Sequence, residues 1–274
     1  MPIFDKRTCG RKVCSSTRRQ RFLFAAVVFI FNFRRDGQVG SIGKSQELRV
    51  LSYSLYGYDR RYMDGALTNS AAYKQIFPGW QMWVYFDSTV PISVLNAIKA
   101  NDVTLINMTH SDLSPMTWRF LIASNKSVAR YCVRDIDSRL LKREHTAVEA
   151  WVESEFPAHI IRDHPSHIVS KVAIPGGMWC ARRDTFPTMS QHLARANLAA
   201  TYNADQEFLR EVVWPTIQSK VLQHVSFNCE EHENYRRMPR RSGLEHVGAV
   251  YLGGLMRESD LKLLRKAIQR GEQC

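Results

Sequence analysis

Beyond residue 44 the chain alternates short strand-like runs with helix-like runs, and that alternation narrows its folds more than any other feature. Segments 48–55, 81–86, 103–108, 128–133 and 158–161 are apolar and strand-like, the second ending at Asp87. Helical patterning occupies 60–76, 91–100, 142–154, 205–213 and 258–270, with Leu261, Leu264 and Ile268 on one face of the last. Pro91 and the Ser114-Pro115 pair stand where prolines open helices, because the first helical residue needs no N–H partner. Such alternation predicts one α/β domain over 45–274, built on a mainly parallel sheet. Ligands of these sheets sit beyond the carboxyl ends of the strands. That rule directs attention to Asp87 and to the residues after Val133.

Of the 274 residues, 45% are hydrophobic and 23% charged, a globular balance rather than a disordered one. There is no apolar run of eighteen residues and no internal repeat, which excludes multi-pass membrane proteins, solenoids and propellers. The net charge of +12 is unevenly spread. Residues 1–36 carry nine Lys or Arg against two Asp, so +7 belongs to a leader and only +5 to the body. That distribution suits targeting or a membrane surface better than a phosphate-binding groove, and no nucleic-acid partner is expected.

Within the 1–44 leader, residues 22–33 are apolar except Asn32, and 37–44 (GQVGSIGK) reads as a flexible linker. Twelve helical residues span about 18 Å against a hydrocarbon core of about 30 Å. The segment is expected to act as a signal-anchor, with an organelle leader or a plain extension as alternatives. In a eukaryotic cell this favours the secretory pathway, with a membrane-anchored body in the Golgi or ER lumen, and otherwise the cytoplasm. The six cysteines show no CxxC pair and no zinc spacing, so no disulfide framework is expected. Cys132 reads as a small buried hydrophobe.

The most informative stretch is 130–144, RYCVRDIDSRLLKRE. An apolar strand delivers Asp135 and Asp137 to its carboxyl end, two residues apart, so a strand-end bend can turn both toward one site. Paired hard carboxylates suit Mg²⁺ or Mn²⁺ with positions left for phosphate oxygens. Arg134, Arg139, Lys142 and Arg143 add charge suited to a diphosphate. A second constellation, HIIRDHPSH at 159–167, reads equally as a metal or phosphate site and as a polar loop. In IPGGMW, either Gly176 and Gly177 allow a backbone to approach a ligand and Trp179 offers a flat stacking surface, or the segment is a tight turn with a core Trp. Asp205 either caps the helix after it or faces an acceptor hydroxyl. His224, on an apolar strand, is either a core histidine or a third metal ligand. His246 carries the same ambiguity.

In order along the chain, RVLSYSLYG, PGWQMWVYFD, WRF, RDIDSR, RDHPSH, PGGMW, ADQEFL and HVSF resemble the nucleotide-sugar-dependent glycosyltransferases with the GT-A fold. The resemblance runs from about Arg49 to Tyr251, and the order of the segments carries it rather than any one motif. It implies a single Rossmann-like domain with a mixed, mainly parallel central sheet and helices on both faces. It implies a divalent metal, Mn²⁺ or Mg²⁺, held by Asp135 and Asp137 of the DxD motif, with His224 as a late ligand. Ser52, Tyr53 and Ser54 would lie near the nucleobase, and Arg119 near the donor phosphates or sugar. Gly176, Gly177 and Trp179 would shape the donor-sugar and acceptor pocket. Asp205 would face the acceptor as candidate catalytic base. The implied reaction moves a sugar from a nucleoside diphosphate to a hydroxyl of a glycan, protein or small molecule.

Two positions depart from the family's pattern: Val225 stands in HVSF where related sequences often read HDSF, and Cys180 follows Trp179 where glycine is expected. Three competing readings remain: a DxD phosphohydrolase, a hydrolase built on His159, Asp163, His164 and His167, and an inactive glycosyltransferase-like binding module. Against the first, Arg139 stands where such enzymes want Thr or Val.

Overall fold

Strand β1 (Arg49–Leu55) organises the molecule by sending alternate side chains to opposite faces. Leu51, Tyr53 and Leu55 face one apolar layer, while Val50 faces the other. The computed structural model describes residues 47–168, 170, 172–196, 198 and 203–274. The leader with its apolar segment 22–33, Cys9 and Cys14 lies outside the described residues. None of the described helices is long and apolar enough to cross a membrane.

The chain runs β1, α1 (Arg60–Ile76), β2 (Trp80–Phe86), α2 (Ile92–Lys99), β3 (Thr104–Asn107), a 3₁₀ helix Pro115–Ser124 and β4 (Arg130–Arg134). It continues through α3 (Lys142–Val152), β5 (Ala158–Arg162), β6 (Met178–Arg182), α4 (Met189–Ala196) and α5 (Ala204–Phe208). A π-helical turn, Leu209–Val213, leads into α6 (Trp214–Ile217) and then β7 (Val221–Val225). The last elements are β8 (Tyr235–Arg237), a small hairpin of β9 (Tyr251–Leu252) and β10 (Leu255–Met256), and α7 (Glu258–Gln269).

The sheet order is β3-β2-β1-β4-β6-β5-β7-β8. Seven of these strands share one direction, and β6 runs antiparallel to both neighbours, β4 and β5. Helices α1, α2 and α3 cover one face, packing Met63, Ala66, Leu95, Ala147 and Trp151 into it. The 3₁₀ helix, α4, the π turn and α6 cover the other with Phe120, Leu193, Leu209 and Ile217. The expected α/β class, a mixed and mainly parallel sheet with helices on both faces, is therefore the one the chain forms.

Two expectations are corrected. The MWCAR segment, to which sequence reading assigned no strand, is an inner strand, β6. It places Trp179, fully buried, edge-on to Phe120, Tyr131 and Phe186. Cysteine pairing is the second. Cys132 and Cys180 lie directly opposite each other across β4 and β6, with Cα atoms 4.0 Å apart, and form a disulfide. Cys229 is bonded to Cys274, whose N–H also donates to the Ser226 carbonyl (3.0 Å). Sequence separations of 48 and 45 follow no motif, so the register of the fold creates these pairs.

Candidate active site

Asp135 and Asp137 leave the carboxyl end of β4 in a bend that α1 holds in place. Gly65 of α1 lies so close to the Ile136 carbonyl that a Cβ would overlap it, and Asn69 Nδ2 donates to the carbonyls of Ile136 (3.1 Å) and Ser138 (2.8 Å). The bend is thus fixed by a helix–backbone contact that only glycine permits. Both aspartates line a cavity of about 290 Å³ with Ser54, Tyr56, Arg61, Tyr62, Arg119, Asp205 and Arg257.

Charges alternate around this cavity. The Arg119 guanidinium, carried by the 3₁₀ helix, binds Asp135 through Nη1 and Asp205 Oδ2 through Nη2 (2.9 Å). Arg61 Nε stands 3.4 Å from Asp137 Oδ2. Burial, and then the charge of Asp135, push the Asp137 carboxyl up to about 6, with Arg61 opposing. Asp205 lies in the first turn of α5, where its Oδ1 accepts from the Gln206 N–H (2.9 Å). Gln206 closes the wall behind it: its amide donates to the Ile174 carbonyl (2.9 Å) and accepts from the Gly176 N–H (2.8 Å).

The cavity brings together Ser54, Arg119, Asp135, Asp137 and Asp205 of the expected residues, with Gly176 and Gly177 packed behind them. Gly176 abuts Gln206, Arg119 and Asp205, while Gly177 lies against the Asp135 side chain and backbone N. A methyl group at Gly177 would occupy the volume of that carboxylate. Gly177→Ala is expected to lower stability by about 1–3 kcal/mol through overpacking and to move Asp135. A urea titration showing wild-type stability would contradict the contact.

The other expected residues face elsewhere. Ser52 is fully buried, its Oγ donating to the Arg119 carbonyl (2.7 Å), so it positions Arg119 and does not line the cavity. Tyr53 points into the layer under α1, where burial pushes its phenol well up and its hydroxyl has no partner. Arg134, 1% exposed, turns to the same side, its Nε 3.0 Å from Glu144 Oε1. Trp179 offers no stacking surface because β6 buries it. His224 is not beside the aspartates. Its Nδ1 lies 2.7 Å from His159 Nε2, and the His159 ring stacks on Trp151. No group of three His, Cys, Asp or Glu side chains among the described residues is placed to hold a metal ion.

The basic residues after β4 are also employed away from the cavity: Arg139 stacks over Tyr251 and Arg143 binds Asp163. Besides Arg119, the positive charge that lines the cavity comes from Arg61 and Arg257, which sequence reasoning missed. Arg61 had a usable signal, since it lies in the first turn of the helix that follows β1, where the strand-end rule places ligand contacts. Arg257 had none, arriving from 120 residues beyond Asp137.

The RDHPSH segment is a buried structural hub. Arg162 donates to the carbonyls of His167 (2.8 Å), Val172 (2.7 Å) and Ala173 (2.6 Å), anchoring the loop that leads to Gly176. Asp163 accepts from Arg241, Arg143, Ser226 and the Val247 N–H. His164 packs on His167 and His246, with ring centroids 5.4 and 4.6 Å away. The four groups of the histidine-rich hydrolase reading therefore do not converge: His159 is spent on His224 and Asp163 on arginines. Cys180 faces the disulfide rather than the cavity, and Val225 is a fully buried strand residue.

No protein-family model matches the chain, and no curated protein matches it. Among solved structures it is similar to glucosyl-3-phosphoglycerate synthase from Mycobacterium tuberculosis in complex with Mn²⁺, uridine-diphosphate-glucose and glycerol 3-phosphate. That match has 14% identity and a TM-score of 0.43, over 73% of this chain and 74% of that one. It is also similar to a mannosyltransferase from Pyrobaculum calidifontis in complex with GDP-Man and Mn²⁺, at 12% identity and a TM-score of 0.44, over 71% of this chain and 58% of that one. Glycosyltransferases are what the chain is similar to. At these identities and TM-scores the likeness carries neither substrate nor acceptor across to it.

Proposed function

We propose that the protein is a metal-dependent glycosyltransferase that moves a sugar from a nucleoside-diphosphate sugar to an acceptor hydroxyl. The observation that supports this best is the delivery of Asp135 and Asp137, by one strand-end bend, to a cavity shared with Arg119 and Asp205. The two carboxylates fit Mn²⁺ or Mg²⁺, which take oxygen ligands and leave coordination positions for phosphate oxygens and water. The Asp135 side chain is 37% exposed, and its Oδ1 accepts from Arg119 Nη1. When bound, such a metal neutralises charge on the departing diphosphate.

The chain's own residues supply the rest. Arg61, paired with Asp137 and Asp59, and Arg257, paired with Asp260, bring guanidinium groups to the cavity wall, where they would pair with an anionic leaving group. Tyr56 and Tyr62 line the same wall and can shield the reacting groups from water. Asp205, oriented by Arg119 and the Gln206 N–H, would accept the acceptor's hydroxyl proton at a carboxylate oxygen. Glycans, proteins and small molecules with a free hydroxyl all meet that chemical requirement.

The deciding measurement is calorimetric binding of UDP, GDP and their sugars to the full chain, with and without Mn²⁺. Metal-dependent binding is expected, lost in the Asp135→Ala/Asp137→Ala double variant. No binding of either nucleotide, or binding indifferent to metal and to both aspartates, would overturn the proposal.

A further inference from the structure

Arg119 reaches both sides of the cavity at once. Its backbone is fixed to β1, since Ser52 Oγ donates to its carbonyl (2.7 Å) and its N–H donates to Ser54 Oγ (3.0 Å). From that base the guanidinium divides its terminal nitrogens, Nη1 to Asp135 and Nη2 to Asp205 Oδ2 (2.9 Å). Its side chain is only 9% exposed, and its Nε–H is buried with no partner. Gly176 stands behind it, where a Cβ would lie 3.2 Å from Nη2.

A carboxylate lone pair that accepts from a guanidinium is not available to a metal ion. The candidate metal ligand Asp135 is therefore already supplied with positive charge by the chain itself. Guanidinium also pairs with phosphate oxygens in a two-pronged geometry stronger than a single hydrogen bond. A diphosphate entering this cavity meets in Arg119 a cation that bridges its two sides.

We propose that Arg119 is an internal counter-ion that competes with the divalent cation for Asp135 and yields it when a diphosphate engages the guanidinium. Metal and nucleotide then bind synergistically, and by linkage each raises the other's affinity by the same factor. This regulation rests on the glycosyltransferase reading above and adds an order of events to it.

The test is a calorimetric titration of the full chain with Mn²⁺ alone, and with Mn²⁺ at saturating UDP or GDP. Wild type is compared with Arg119→Met, Arg119→Lys and Arg119→Met/Asp135→Asn, each checked for folding by its thermal melt. Arg119→Met is expected to bind Mn²⁺ alone at least about tenfold more tightly, the factor that about 1.4 kcal/mol represents. Nucleotide should raise its Mn²⁺ affinity by a smaller factor than in wild type, because only the part of the coupling that runs through Arg119 is gone, and adding Asp135→Asn should remove the gain. Arg119→Lys keeps the charge without the fork, so it is expected to fall between wild type and Arg119→Met. It carries the test should Arg119→Met fail to fold.

A folded Arg119 variant that binds Mn²⁺ no more tightly than wild type, in a protein whose metal binding nucleotide promotes, would overturn the counter-ion role alone. No Mn²⁺ binding by any of the proteins, with or without nucleotide, would overturn the donor-site reading and this inference with it.

Discussion

Replacing Asp163 with alanine is expected to cost the native state about 3–5 kcal/mol, the range for breaking a buried ion pair from one side. The carboxylate is fully buried and accepts from Arg241 Nη2 (2.6 Å), Ser226 Oγ (2.5 Å), the Val247 N–H (2.9 Å) and Arg143. Both arginine side chains are nearly buried, at 4% and 9% exposure. Truncation leaves two guanidinium groups facing each other with no anion between them, together with an orphaned N–H and hydroxyl. Such an uncompensated charge costs more than the pair contributed when intact.

Against a total stability of about 5–15 kcal/mol for a typical domain, that loss removes a large share of the margin. Asp163→Asn keeps the volume and one acceptor, so it should fall between alanine and wild type. Urea unfolding at neutral pH measures all three. The hub interpretation fails should the alanine variant lose less than about 1 kcal/mol, no more than an average point substitution costs. The effect also reaches the cavity. Asp163 fixes Arg241 and Val247, which anchor the segment that brings Val250 and Arg257 to its wall.

The sequence announced elements whose signals are local. Helix α1 forms over the expected 60–76 because Asp59 caps it, its carboxylate accepting from the Arg61 N–H (2.9 Å), and because Pro78-Gly79 follows its end. The aspartate pair was legible for the same reason: an apolar strand must end somewhere, and the first charged residues beyond it lie at its carboxyl end. Orientation was harder. Tyr53 shares the parity of Leu51 and Leu55, and Arg134 that of Cys132, so both turn toward the α1–α3 layer. Nothing in residue type says which face of a doubly covered sheet borders the cavity. Strand β6 escaped because its five residues follow adjacent glycines, and an inner antiparallel strand reads like a turn's flank. The disulfides and the contribution of Arg257 depend on register and chain path, which spacing along the sequence does not encode.

Acid is expected to unfold this protein steeply below neutrality, because its interior holds histidines that resist protonation. Burial holds His159 and His167 well below the usual histidine range and lowers His164. It brings His224, His232 and His246 down to about 4. His159 shows the cause directly. Its ring stacks on Trp151, and its Nε2 shares one hydrogen with His224 Nδ1 across 2.7 Å, so protonating the pair sets two N–H groups against each other.

The sign follows from linkage. A lowered folded-state pKa leaves histidine stability fully present above the unfolded value of about 6.5. It is lost as pH falls toward the folded value near 4, because the unfolded chain takes up protons that the native one refuses. Asp137, raised to about 6, and Glu144, raised to about 7 by burial against the pull of Arg134, act in the opposite sense over part of this window. Six histidines outweigh two carboxyls. One fully buried histidine loses about 2 kcal/mol by pH 5. A net two of them suffice for about 4 kcal/mol, or roughly 8–16 °C in Tm for a domain of this size. Thermal melts at pH 7.5 and pH 5 measure the drop. A His159→Gln/His224→Gln variant should show a smaller one, since neither glutamine titrates. A melting temperature that holds or rises on acidification would refute the account. A double variant with the full wild-type drop would remove this pair from it.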